Sequence, residues 1–135
     1  MSDETEGVSA GTFQRALAVQ ANASRKGLDW PDPYGVLAKI REELDEVETA
    51  IRSGSKSRLN DEVGDLLFSV VNAARMLDVD PERALSEAIN KFERRFRDVL
   101  ALARGSGRAV ERMSIEELDL LWEEAKRTAA HDGER

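Results

Sequence analysis

The sequence predicts an all-α protein, an antiparallel bundle of about four to five helices. Two observations carry this prediction. Apolar residues recur at steps of three and four along five segments, and no segment shows the strict alternation of a half-buried strand. The segments are separated by helix-start signals and short glycine- or proline-containing breaks, which is how neighbouring bundle helices are joined.

The first helix runs from Thr12 to Lys26, with Phe13, Leu17 and Ala21 on one face and Gly27 at its stop. A loop, GLDWPDP, follows. Asp32 is a good N-cap and Pro33 a good first helical residue, so the second helix starts there. Its apolar stripe is Leu37, Ile40, Leu44, Val47 and Ile51, ending near Ser53-Gly54. The third helix starts near Ser57 and is expected to bury Leu59, Val63, Leu66, Val70 and Leu77. Asp80-Pro81 repeats the cap-plus-proline start. The fourth helix then carries Leu85, Ala88, Ile89, Phe92, Phe96, Val99 and Ala103 on one side until GSGR, residues 105–108, breaks it. Ser114 and Glu117 form a capping box, with Met113 and Leu118 as its hydrophobic staple. A fifth helix therefore runs from there to about Thr128. The expected organisation is a disordered tail over 1–10, one helical domain over 11–128 and a frayed tail over 129–135.

A length of 135 residues suits one domain with a core of its own. The absence of cysteine excludes disulfides, zinc-thiolate sites and a thiol nucleophile. No apolar run reaches the roughly 18 residues of a membrane span, and MSDETEGVSAG has no signal-peptide pattern. A cytoplasmic location with no membrane partner is expected. With 20 basic and 27 acidic residues the net charge is -7. That argues against broad binding to nucleic acid, which needs a basic surface, but not against a phosphate ligand accompanied by a divalent cation.

The acidic residues concentrate in REELDEVETAIRSGSKSRLNDEVGDLLF, residues 41–68. A helix turns about 100° per residue. Measured from the apolar stripe of the second helix, Glu43 lies about 70° and Glu46 about 130° to one side. On the third helix Glu62 and Asp65 have the same two offsets, again to that side. A short turn makes the helices antiparallel, so equal offsets place both pairs on one side of the helix pair. The pairs are also symmetric about Gly54, which sets Glu43 level with Asp65 and Glu46 level with Glu62. Four carboxylates are thus expected within roughly 5 Å of helix axis. Oxygen-only donors of this kind suit Mg²⁺ or Mn²⁺. The plainer alternative is a solvated surface, because Lys39/Glu43, Arg41/Asp45, Glu48/Arg52 and Arg58/Glu62 are all i, i+4 ion-pair spacings. Glu42, Asp45 and Glu48 point elsewhere and keep that plainer reading on geometry alone.

The ordered motifs Glu42-Glu43-Leu44-Asp45-Glu46 and Glu62-Val63-Gly64-Asp65 resemble those of the MazG family of all-α nucleoside triphosphate pyrophosphohydrolases. GLDWPDPYGVL before the first motif, GDLLFSVVNAAR around the second, NKFERRF at residues 90–96, and a last helix with Trp122 and Lys126 extend the likeness. It covers about Phe13 to Arg127, with residues 100–108 the least similar part. The resemblance implies hydrolysis of nucleoside triphosphates to monophosphate and pyrophosphate with Mg²⁺ or Mn²⁺. It assigns the metal to Glu43, Glu46, Glu62 and Asp65. It assigns the nucleotide to Lys39, Lys91, Arg95, Trp122 and Lys126, and it implies a homodimer or larger homo-oligomer.

Residue chemistry is compatible with those roles. Lys91 and Arg95 share a flank of the fourth helix and suit phosphate oxygens. Trp122 offers a stacking surface, although core packing beside Leu118 and Leu121 is the plainer reading. Trp30 reads as an anchor for the start of the second helix. Glu46 or Glu42 is the expected general base, with the choice between them open, and His131 is excluded by its place in the tail. Rival readings are a related pyrophosphohydrolase for dUTP, dCTP or phosphoribosyl-ATP, and a non-catalytic metal-binding helical dimer. House-cleaning of non-standard nucleotides is the role the resemblance suggests.

Overall fold

A computed structural model describes residues 11–131; the tail expected over 1–10, and residues 132–135 of the tail expected over 129–135, lie outside the described residues. Five α-helices follow in chain order: α1 (Thr12–Arg25), α2 (Pro33–Ser53), α3 (Lys56–Met76), α4 (Pro81–Gly105) and α5 (Ile115–His131), with a short 3₁₀ turn, Val110–Arg112, before the last. Among the described residues there is no strand. No described helix is long and apolar enough to cross a membrane.

The ends of the helices follow local chemistry. The Asp32 carboxylate accepts from the N–H groups of Tyr34 and Gly35, at 2.9 and 3.2 Å, ahead of Pro33. Asp80 caps α4 in the same way. The capping box of α5 is closed in both directions: Glu117 N–H donates to Ser114 Oγ at 3.1 Å, and Ser114 N–H donates to Glu117 Oε1 at 3.2 Å. Helix α1 ends in a Schellman pattern, with Leu28 N–H on Ala23 C=O and Gly27 N–H on Ser24 C=O. Helix α3 ends in the same pattern, but Asp78 occupies the left-handed position at φ 57. Asp tolerates that conformation where branched residues do not, so this end carries no glycine signal.

The described chain forms two compact units, residues 11–84 and 85–131. The first holds α1, α2, α3 and the opening turn of α4. Helices α2 and α3 are joined through Gly54, at φ 70, and Ser55, whose hydroxyl accepts from Arg58 N–H. A left-handed residue at that point costs an L side chain about 1 kcal/mol or more, which is why glycine suits it. Helix α1 is tied to α3 by Gln20 Nε2, which donates to the Phe68 carbonyl at 2.9 Å. The second unit holds the rest of α4, the 3₁₀ turn and α5. Phe92 and Phe96 stack on α4 with ring centroids 6.4 Å apart.

The core is built from small side chains. Val36, Ala50, Val71 and Ala73 are buried in the first unit, and Val99, Ala103, Ala125 and Ala129 in the second. Three of the residues expected to be buried on α3 are instead exposed: Val63, Val70 and Leu77. Leu44 and Ile51 on α2, and Leu85, Ile89, Phe92 and Phe96 on α4, are exposed as well. The physical reason is geometric. A helix neighbour covers one flank of an apolar stripe, and these stripes are wider than one flank. Helix α5 continues through His131, past the expected end at Thr128, with Ala129 buried.

Candidate active site

Glu43 stands near the middle of α2 and is only 6% exposed. The Gly54–Ser55 turn folds α3 back along α2 and sets Glu62 and Asp65 opposite it. Carboxylate oxygens of Glu43, Glu62 and Asp65 all lie within 4.8 Å of one another. Burial falls across the group, from buried Glu43 through half-buried Glu62 to exposed Asp65. The cluster therefore opens to solvent on its Asp65 side.

Electrostatics reflect the crowding. The Glu62 carboxyl is pushed above its ordinary pKa by partial burial first, then by the charges of Glu46, Asp65 and Glu43, with Arg58 opposing. Glu46 is thus felt at Glu62 but stands outside the close group of three. It is exposed, as its larger angular offset from the apolar stripe requires. Of the four carboxylates expected to converge, three do so at the atomic level and the fourth contributes its field.

Lys39 Nζ lies 3.1 Å from Glu43 and 3.5 Å from Glu42. Its pKa is raised, chiefly by the bond to Glu43. This is one of the i, i+4 pairs that a solvated surface would also produce. Glu43 is buried, however, and a buried charge needs a partner. By contrast Glu48 and Arg52 pair at 3.7 Å with both side chains largely in water, a plain surface ion pair.

The remaining expected nucleotide ligands belong to the second unit. Lys91 and Arg95 are half-buried on α4, and the buried Nε of Arg95 has no hydrogen-bond partner among the described residues. Trp122 is half-buried, with its ring centroid 5.0 Å from that of Phe92 at a 42° tilt. Lys126 is exposed and lies 3.7 Å from Glu123.

The sequence reading gives no role to Gln20, Asn72 and Arg75, which line a cavity of about 320 Å³ in the first unit. One signal was available. Gln20 falls on the stripe of Phe13 and Leu17, a polar side chain on an apolar helix face.

Chemically, the Glu43–Glu62–Asp65 group presents three close, hard oxygen donors with mutual repulsion to relieve. Such a donor set fits a divalent cation of the Mg²⁺ or Mn²⁺ kind. The acidic residues fall within a stretch that matches a known family. A family model described as the MazG nucleotide pyrophosphohydrolase domain matches residues 33–100, just over half of the chain. The chain is 48% identical over 111 residues to the nucleoside triphosphate pyrophosphohydrolase/pyrophosphatase MazG of Thermotoga maritima, covering 82% of this chain and 42% of that protein. It is 37% identical over 117 residues to the nucleoside triphosphate pyrophosphohydrolase of Escherichia coli K12, covering 85% of this chain and 44% of that protein. A phosphoribosyl-ATP pyrophosphatase of Methanosphaerula palustris is 36% identical over 67 residues, half of this chain and 63% of that one. The chain thus spans less than half the length of the first two relatives.

Proposed function

This chain belongs to the MazG nucleotide pyrophosphohydrolase domain family, and we propose on that basis that it hydrolyses nucleoside triphosphates to the monophosphate and pyrophosphate. The single observation that carries the reading is the convergence of Glu43, Glu62 and Asp65 to within 4.8 Å. These residues, with Glu46 beside them, would hold Mg²⁺ or Mn²⁺. When bound, the cation supplies Lewis-acid polarisation of the phosphate oxygens and of a water.

The chain's own residues do the rest. Glu42 or Glu46, both exposed on α2, accepts the proton of the attacking water. The water oxygen bonds to the α-phosphorus, the bond to the bridging oxygen breaks, and pyrophosphate leaves. Lys39 balances charge at the acidic site, while Lys91, Arg95 and Lys126 meet the negative phosphate oxygens as charge builds on the leaving group. Trp122 contributes to holding the nucleotide. Residues 11–128 act as one catalytic domain in the cytoplasm, with clearing of non-standard nucleotides as its service. The similarity to a phosphoribosyl-ATP pyrophosphatase supports a second substrate reading.

The test is pyrophosphate release from a panel of nucleoside and deoxynucleoside triphosphates with Mg²⁺, with dUTP, dCTP and phosphoribosyl-ATP included. The unaltered chain is expected to yield monophosphate and pyrophosphate. Changes to residues that merely support a metal ligand already cost about 10–100-fold, so Glu62→Gln should lose about 100-fold or more. No turnover of any substrate by the folded, metal-supplied chain would overturn the reading in favour of a non-catalytic metal-binding bundle.

A further inference from the structure

Among the described residues, one basic side chain is bonded to the acidic cluster. Lys39 Nζ lies 3.1 Å from Glu43 Oε1, and Glu43 is the most buried of the three close carboxylates. Arg58 is felt at Glu62 as a charge, without an ion pair between them.

Lys39 touches a second carboxylate as well. Its Nζ is 3.5 Å from Glu42 Oε1, on the solvent side: the Glu42 side chain is 63% exposed and that of Glu43 8%. The two glutamates stand at i+3 and i+4 from Lys39, so one lysine faces both on the next turn of α2. Its flexible four-carbon stem is partly in solvent, and the ammonium can pass from one carboxylate to the other without a change of backbone. The two places differ in what they need. Glu42 is hydrated with or without Lys39 on it. Glu43 is withdrawn from water, and a buried carboxylate without a positive partner is costly. Whatever releases Lys39 must therefore replace its charge at Glu43. A divalent cation held by Glu43, Glu62 and Asp65 does so. Conversely, the ammonium repels a cation drawn to the carboxylate that it holds. Salt screens over about 8 Å, so it weakens that repulsion little within a single carboxylate.

We propose that Lys39 is an exchangeable counter-ion of the cluster, held on Glu43 in competition with the divalent cation and passed to Glu42 when that cation binds; the inference rests on the cation reading given under Proposed function. Lys39 is in this respect a positioning residue that acts through Glu43. It keeps the buried carboxylate paired, and it lowers the affinity of the cluster for the cation.

The experiment titrates the full chain, without nucleotide, with Mn²⁺ followed by electron paramagnetic resonance of the free ion and with Mg²⁺ followed by calorimetry. Lys39→Met is expected to bind either ion about fivefold more tightly, the upper end for an ion pair reached by solvent. Lys39→Arg keeps the charge and is expected to bind no more tightly than the parent. Arg52→Met removes the same charge from the exposed pair with Glu48 and is expected to leave the affinity unchanged. Glu42→Gln removes the place to which Lys39 moves. It should weaken binding about twofold or more in the parent and have no effect in Lys39→Met, a coupling that a double-mutant cycle reads. Equal or weaker binding in Lys39→Met overturns the inference and leaves Lys39 as a residue that merely orients Glu43. So does tightening of the same size in Lys39→Arg or Arg52→Met, or a Glu42→Gln effect that is the same with and without Lys39. Should Lys39→Met fail to fold, Lys39→Gln, a neutral donor, takes its place in both arms. Failure of the unaltered chain to bind either ion overturns the inference together with the cation reading. Binding by the unaltered chain with any of the other overturning results removes the exchange and leaves the cation reading standing.

Discussion

At the scale of single residues, the acidic cluster and the Asp29–Arg75 pair respond to pH in opposite directions. Glu62 has a raised pKa, so its ionised form is disfavoured in the folded chain and its protonation is favoured. Its contribution to stability falls as pH rises through that pKa. In EDTA at neutral pH, Glu62→Gln should therefore melt no lower than the parent, while added Mg²⁺ should raise the melting temperature of the parent alone. Thermal scans with and without the cation read both outcomes. Asp29 is the converse case. Its carboxyl is lowered from 3.8 to about 2 by Arg75, then Ser24, so its stabilisation is present above pH 4 and is lost as pH falls toward 2. Asp29→Asn should cost about 1 kcal/mol or less at pH 7, the usual range for an ion pair touched by solvent. The difference from the parent should vanish near pH 2, as measured by urea unfolding at each pH. Little of this was legible beforehand. The i, i+4 spacing of Lys39 and Glu43 was visible, but its burial was not. The Asp29–Arg75 pair spans 46 positions, and sequence spacing carries no information over that distance.

At the scale of elements, the starts and stops were the most legible part of the chain. Asp32-Pro33, Asp80-Pro81 and Ser114-Glu117 each begin a helix as written, because capping is a local reaction between a side chain and the next few N–H groups. The end of α3 was less plain, since Asp78 takes the position that glycine usually marks. Gly35 adds a constraint that no propensity scale contains. Alanine is the better helix former by about 1 kcal/mol, yet its Cβ would meet Trp30 Cε3 at 2.8 Å. The indole is rigid and forms the cavity wall. Gly35→Ala should therefore destabilise the first unit by about 1–3 kcal/mol, the usual cost of overpacking. It should also shift the Trp30 emission, and denaturant titration followed by fluorescence, in a Trp122→Phe background, checks both.

For the molecule as a whole, the most informative feature is the apolar surface that the chain does not cover. Leu85, Ile89, Phe92 and Phe96 recur at helical spacing on α4 with exposures of 45–56%. Large contiguous apolar patches mark interaction surfaces, and on that ground we propose the homodimer that the family resemblance implies. Sedimentation should give a species of twice the 15.0 kDa chain mass, and Ile89→Glu should shift it toward the monomer. A monomer in the unaltered chain at all concentrations would remove the proposal.

Sequence by itself determined the helical class, the order of the five helices, the caps that start α2, α4 and α5, and the approach of Glu43 to Asp65 across the Gly54 turn. All of these depend on period, local hydrogen bonding or the symmetry of one short hairpin, and each is written within a few residues or one turn. Tertiary structure decided which carboxylates touch, with Glu46 outside the close group, and which apolar residues remain uncovered. It also decided that Gln20, Trp30 and Asn72 line one cavity. Those outcomes depend on the distance and rotation between helices far apart in sequence. Rotamer, burial and unmet hydrogen-bonding capacity exist only once the helices are packed.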